Sequence, residues 1–139
     1  MKARLFARGV FIQDGHALVN DTKRSLKLIG GRVGRNENIE DALVREWLEE
    51  VGFLVKVGPL VTMSSRIVGK RGRRVRHIEM VYAVTSPILL GPTVVAEKGI
   101  NPVWITHATL AAMLGESLAD QLYSVNERVR PPAKLVPIR

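Results

Sequence analysis

The sequence predicts an α/β layered domain, and three observations lead there. Extended, β-branched segments outnumber helical ones and are interleaved with them along the chain. An Asp-Gly pair separates two alternating segments near the N-terminus, which is a strong short-range hairpin signal. At 139 residues and 46% apolar content, the chain has the length of one domain, 1–139, whose core needs no staple.

The elements follow in order. Residues 4–13 and 16–20 read as a β-hairpin around Asp14-Gly15, because Asp-Gly supplies the positive φ angles of a two-residue turn. A short strand over 26–29 runs into Gly30-Gly31, and a helix follows over 39–50. Asn36 or Asn38 can cap that helix, and Glu40 and Asp41 suit the positive end of its dipole. Gly52 closes it where a left-handed residue is wanted. Segments 53–67 and 73–84 are extended and flank a glycine-bearing turn. Residues 103–106 form a strand that leads into a helix over 108–113, and 118–126 form the last helix. From about 128 the chain reads as an irregular tail with Pro131, Pro132 and Pro137.

The 21 Lys and Arg against 13 Asp and Glu give a net charge of +8, and there is no cysteine. Disulfides, thiolate zinc sites and a cysteine nucleophile are thereby excluded. The first ten residues are broken by charges, unlike a secretory leader, and no apolar run reaches the roughly 18 residues that span a bilayer. The expectation is a cytoplasmic protein with no membrane segment. A positive balance points to anionic partners: nucleic acid, phosphorylated small molecules or an acidic surface.

The two signs are segregated. Six of the 13 acids, Glu37, Glu40, Asp41, Glu46, Glu49 and Glu50, lie between 37 and 50. Arg66, Lys70, Arg71, Arg73, Arg74 and Arg76 form a basic block that reads either as a solvated hairpin tip or as a phosphate-binding element. On the 39–50 helix, with Glu46 set at 0°, Glu50 falls at about 40° and Glu49 at about 300°. Three carboxylates thus share one arc, while Leu43, Trp47, Val51, Val44 and Leu48 occupy about 60° to 200°. Glu46 and Glu50 repel at i,i+4, and only Arg45 is near enough in sequence to offset them. A hard divalent cation would do so better, since Mg²⁺ takes a few carboxylate oxygens and keeps waters for a phosphorylated substrate.

Gly31, Glu37, Arg45, Glu46, Glu49, Glu50 and Gly52 stand in one 23-residue segment from Gly31 to Phe53. That spacing resembles the signature box of the Nudix hydrolases at every defined polar and glycine position. Trp47, where an aliphatic residue is usual, is a departure that touches packing rather than chemistry, and Asn36 stands where a glycine is usual, as a residue that tolerates the left-handed conformation better than most. A weaker resemblance extends over about 7–114. It implies an α/β/α sandwich with a mixed β-sheet and a hydrolase that cleaves a nucleoside diphosphate linked to some other group, with Mg²⁺ or Mn²⁺, into a nucleotide and a phosphorylated remainder. It further implies that Glu46, Glu49 and Glu50 are metal carboxylates, that the Gly31 carbonyl is a further ligand, and that Glu37 pairs with Arg45. A homodimer is in keeping with the family.

Members often recruit a further glutamate as ligand or base, and here the candidates are Glu79 and Glu97. Alternation places His77 and Glu79 on the strand face opposite Ile78, Met80 and Tyr82. Arg71, Arg73 and Arg74 are candidates to grip substrate phosphate. None of the substrate-specific patterns for ADP-ribose, NADH or coenzyme A is present. The leading expectation is a metal-dependent pyrophosphohydrolase acting by water attack on phosphorus. The alternatives are a nucleic-acid-binding module or an RNA-end pyrophosphohydrolase that uses the basic turn 66–76, with Arg128, Arg130 and Lys134 extending a phosphate track.

Overall fold

In a computed structural model, which describes residues 1–86 and 97–129, the Asp-Gly turn takes the mirror-image form its residues favour, with φ of 52° at Asp14 and 76° at Gly15. It joins β1 (Lys2–Gln13) to β2 (His16–Asp21), placing Ile12 opposite Ala17. The segment 26–29, expected as one strand, changes partner at Leu28. β3 (Leu26–Lys27) bonds to β2, whereas β4 (Ile29–Arg32) bonds antiparallel to β1 with Ala7 opposite Gly31.

β1 is the organising strand. On its other side it runs parallel to β6 (Val75–Thr85), and β6 pairs antiparallel with β5 (Lys56–Val68). The 57–62 stretch of β5 is irregular in register around Pro59, which has no N–H for a ladder. β7 (Pro102–Ile105) pairs antiparallel with β2. The sheet is therefore mixed.

Alternation sorts its side chains onto two covered faces. Ala7, Phe11, Met80, Tyr82 and Val84 pack with Leu43, Trp47 and Val51 of α1 (Ile39–Val51). Val10, Ile12, Val81 and Ala83 pack with Leu110 of α2 (His107–Leu114) and with Ala119 and Leu122 of α3 (Glu116–Val129). This is the α/β/α sandwich, with α1 alone on one face. Trp104 joins the core on the α1 side, its ring tilted against Phe11 at 6.0 Å between centroids.

Several boundaries differ from the sequence reading for local reasons. Asn38, extended at φ −70° and ψ 148°, is the helix cap rather than Asn36. Thr106 leaves the strand to cap α2, its hydroxyl accepting from the Thr109 N–H at 3.1 Å. β5 begins at Lys56 because Phe53 and Val55 are drawn into the core as loop residues. α3 continues to Val129, past the position where the tail was expected to begin. Arg130, Pro131, Pro132, Lys134 and Pro137 lie outside the described residues, as does the side chain of Arg128.

Candidate active site

The glutamate helix is rolled further inward than its apolar stripe alone would set it. Its buried residues are Ala42, Leu43, Trp47, Glu50 and Val51, while Leu48 stays 48% exposed. On the helical wheel the buried arc runs from about 320° through 0° to about 140°, so it takes in part of the carboxylate arc. Leu48, at the far edge, is left in solvent. Gly31 makes this possible: a Cβ there would lie 2.5 Å from the Glu46 carboxyl carbon. Glycine on β4 lets a carboxylate rest against bare backbone. At the other end, Gly52 has φ 80° and donates its N–H to the Leu48 carbonyl, which stops the helix after Val51.

Glu50 is 7% exposed, and its carboxyl hydrogen-bonds that of Glu46. Such a bond needs a proton on one of the two. Burial first, and the Glu46 carboxylate second, push the Glu50 pKa up to about 8; Glu97 adds in the same direction and Arg8 opposes.

Arg45 is the counter-charge within the chain. It clamps Glu37 in a two-point contact, Nε to Oε2 at 2.7 Å and Nη2 to Oε1 at 3.0 Å, as the resemblance implied. The same guanidinium reaches Glu46 at 3.0 Å, Glu49 at 3.2 Å and the Arg32 carbonyl at 3.2 Å. The Arg45 bond, with the Gly34 N–H second, holds the Glu37 pKa down at about 2, and Glu37 in turn raises that of Arg45. Glu37 and Arg45 therefore stay charged across the working pH range and tie the 33–38 loop to the helix.

Of the two additional glutamates, only Glu97 comes near the helix carboxylates. The Glu97 N–H donates to the Glu50 backbone carbonyl at 3.0 Å, and its charge acts on the Glu50 carboxyl. Glu79 lies on the opposite sheet face, 3.5 Å from the Arg8 guanidinium. Arg8 is the site residue that the sequence reading missed. It donates to the Gly30 carbonyl at 3.0 Å and lowers the Glu50 pKa, linking β1, β4 and the helix. Its signal was a lone cation inside the apolar run of β1. The basic turn stands apart. Arg71, Arg73 and Arg74 are exposed, and among the described residues their guanidinium groups have no partner. Val75 is five residues along β6 from Met80, the residue level with Ala7 and Gly31, or about 17 Å.

Among the described residues no three His, Cys, Asp or Glu side chains converge closely enough to hold a metal. The predicted trio is a pair plus one: Glu46 with Glu50, and Glu49 turned to Arg45. The pair still suits a hard divalent ion. Its donors are all oxygen, and Mg²⁺ sites often use only one or two carboxylates. No helix among the described residues is long and apolar enough to cross a membrane.

A sandwich that seats a glutamate helix on a glycine of β4 is that of a hydrolase acting on phosphoric anhydride bonds. The match to the NUDIX domain model spans residues 4–124, and the chain belongs to the NUDIX family. The solution structure of the E. coli ORF135 protein is similar, at 25% identity over 96% of each chain and a TM-score of 0.61. The E. coli dihydroneopterin triphosphate pyrophosphohydrolase shares the fold at 15% identity over 87% of this chain and 97% of the other, with a TM-score of 0.67. An ADP-ribose pyrophosphatase from Streptococcus suis does so at 22% identity over 93% of each chain and a TM-score of 0.57. No curated protein is significantly similar in sequence.

Proposed function

We propose that this chain is a divalent-metal-dependent pyrophosphohydrolase that cleaves the diphosphate linkage of a nucleoside diphosphate derivative or a nucleoside triphosphate. The observation that carries the reading is the Glu46 carboxyl seated against the bare backbone of Gly31, with the buried Glu50 carboxyl beside it. Glu46, Glu50 and the Gly31 carbonyl would hold Mg²⁺ or Mn²⁺, with Glu49 added from the same helix face. The bound ion would neutralise phosphate oxygens and lower the pKa of the attacking water.

The chain's own groups do the rest. Arg45 and Glu37 fix the loop and the helix in register, and Arg8 brings positive charge to the side of the site facing β1. A carboxylate of the cluster takes the proton from water as the new P–O bond forms. The bridging P–O bond breaks, leaving a nucleoside phosphate and a phosphorylated remainder. Glu97, attached to the Glu50 backbone, is placed to assist either the ion or that proton. Arg71, Arg73 and Arg74 reach only a substrate long enough to extend about 17 Å from Gly31. The triphosphate and ADP-ribose named for two structural neighbours both contain the linkage in question.

Incubation with Mg²⁺ and a panel of nucleoside triphosphates, nucleotide sugars, ADP-ribose, dinucleoside polyphosphates and triphosphorylated RNA tests this. Nucleotide or phosphate release that EDTA and Glu50→Gln both abolish is expected. Release that persists in Glu50→Gln would remove the helix from the mechanism.

A further inference from the structure

β1, β5, β6 and the turn between the last two contain ten of the chain's 21 Lys and Arg but only one of its 13 Asp and Glu. The rest of the sequence is close to neutral, so the +8 charge resides on this sheet. The register assigns Lys2, Arg4, Arg8 and Arg66 to one face, while Lys70, Arg71, Arg73 and Arg74 belong to the turn and Arg76 to the other face. Arg4 lies opposite His77, and His77 lies opposite Arg66; Phe6 lies opposite Glu79. Directly paired residues share a face, as do positions two apart on one strand, so these five side chains stand together with Arg8. The contacts agree: the Phe6 and His77 rings are 4.9 Å apart, and the Arg8 guanidinium lies 5.6 Å over the Phe6 ring.

This is the face that α3 covers further along, at Val10, Ile12, Val81 and Ala83. From Arg8 towards Lys2 the burial falls away, and Lys2, Arg4 and Arg66 are exposed. The one acid, Glu79, is paired with Arg8. The His77 ring is half-buried beside Phe6, with its Nε2 turned inward and without a hydrogen-bond partner among the described residues. At the opposite end the face meets the hydrolytic site, where Arg8 holds the Gly30 carbonyl next to Gly31.

We propose that this open face, centred on Arg4, Phe6, Arg66 and His77, binds single-stranded nucleic acid. The exposed cations Lys2, Arg4 and Arg66 match a chain of phosphates, and the Phe6 and His77 rings beside them match unstacked bases. A duplex hides its bases from such a platform. A lipid surface calls for exposed apolar residues beside the cations, but Met63 and Ile67 project from the other face, opposite Met80 and Arg76.

The test is fluorescence anisotropy of a labelled ten-nucleotide oligouridylate with the full chain in EDTA, so that binding is read without turnover and stands or falls apart from the hydrolase reading. Binding is expected to weaken about 20- to 100-fold between 50 and 200 mM salt, for three to five phosphate contacts. Arg4→Glu with Arg66→Glu, both at exposed positions, should weaken it at least tenfold while far-UV CD and Tm are retained. Phe6→Leu should cost about tenfold on the oligouridylate and little on an abasic strand of the same length. No binding at 50 mM salt, equal affinity for the charge-reversed variant, or equal affinity for a ten-base-pair duplex would overturn the proposal. So would capture on phosphatidylserine vesicles without oligonucleotide binding, which would assign the face to a membrane.

Discussion

Removing the buried charge of Glu50 should stabilise the metal-free protein at high pH. Burial and Glu46 lift its pKa from 4.5 to about 8. A carboxyl whose folded pKa lies above its unfolded one contributes stability that is full below pH 4.5 and lost as pH rises through 8. At 1.36 kcal/mol per pH unit, that interval corresponds to about 5 kcal/mol as an upper bound. Solvent screening at the rim of the site makes roughly 2–4 kcal/mol the working figure. Glu50→Gln keeps a neutral donor towards Glu46 and cannot ionise. Its Tm in EDTA should match that of the parent at pH 5 and exceed it by roughly 5–15 °C at pH 9, at about 3–4 °C per kcal/mol for a chain of this size. Differential scanning fluorimetry across pH 5–9 measures this. Tm curves for parent and variant that run parallel would contradict the buried carboxyl pair.

Other expectations follow from the same geometry. Gly31→Ala places a methyl against the Glu46 carboxyl and should lower turnover at least a hundredfold, with a Tm loss of several degrees, read by steady-state kinetics and melting. Arg45→Ala removes the clamp on Glu37 and leaves Glu46 and Glu49 without their cation; a loss of about 1–3 kcal/mol in urea unfolding is expected, and none would show the network to be idle. Trp47→Phe should cost under about 1.5 kcal/mol although the residue is fully buried. Its indole Nε1 has no partner, so the lost area is offset by deleting an unsatisfied donor. Divalent-ion affinity should rise with pH up to about 8, because binding must displace the Glu50 proton.

The part of the site that sequence made legible is the part written in one continuous segment. Gly52 could be read as a left-handed stop, and Glu37 and Arg45 as a pair, because loop and helix are joined by only a few residues. The β1 to β2 hairpin was legible for the same reason. What escaped depends on chain segments that are far apart. Periodicity set the buried arc of α1 by hydrophobicity and so left Glu50 outside and Leu48 inside. Gly31 on β4 decides otherwise by admitting a carboxylate to the backbone. Arg8 acts through Gly30 and Glu79, 22 and 71 positions away, and no local pattern reports such partners. The split of 26–29 at Leu28 likewise follows from a choice between two strands, β2 and β1, that compete for the same segment. The aromatic and basic face of β1, β5 and β6 emerges only once parallel register sets Arg4 against His77.

The most direct measurement is Mn²⁺ binding at pH 7.5, followed by loss of the free-ion electron paramagnetic resonance signal, in the parent chain, Glu50→Gln, Glu46→Gln and the Arg71→Glu, Arg74→Glu double variant. A site in the parent that each glutamine variant weakens at least tenfold, and the turn variant leaves unchanged, is the expected result. Equal Mn²⁺ affinity in the parent and both glutamine variants would show that the carboxyl pair on Gly31 is not the cation site.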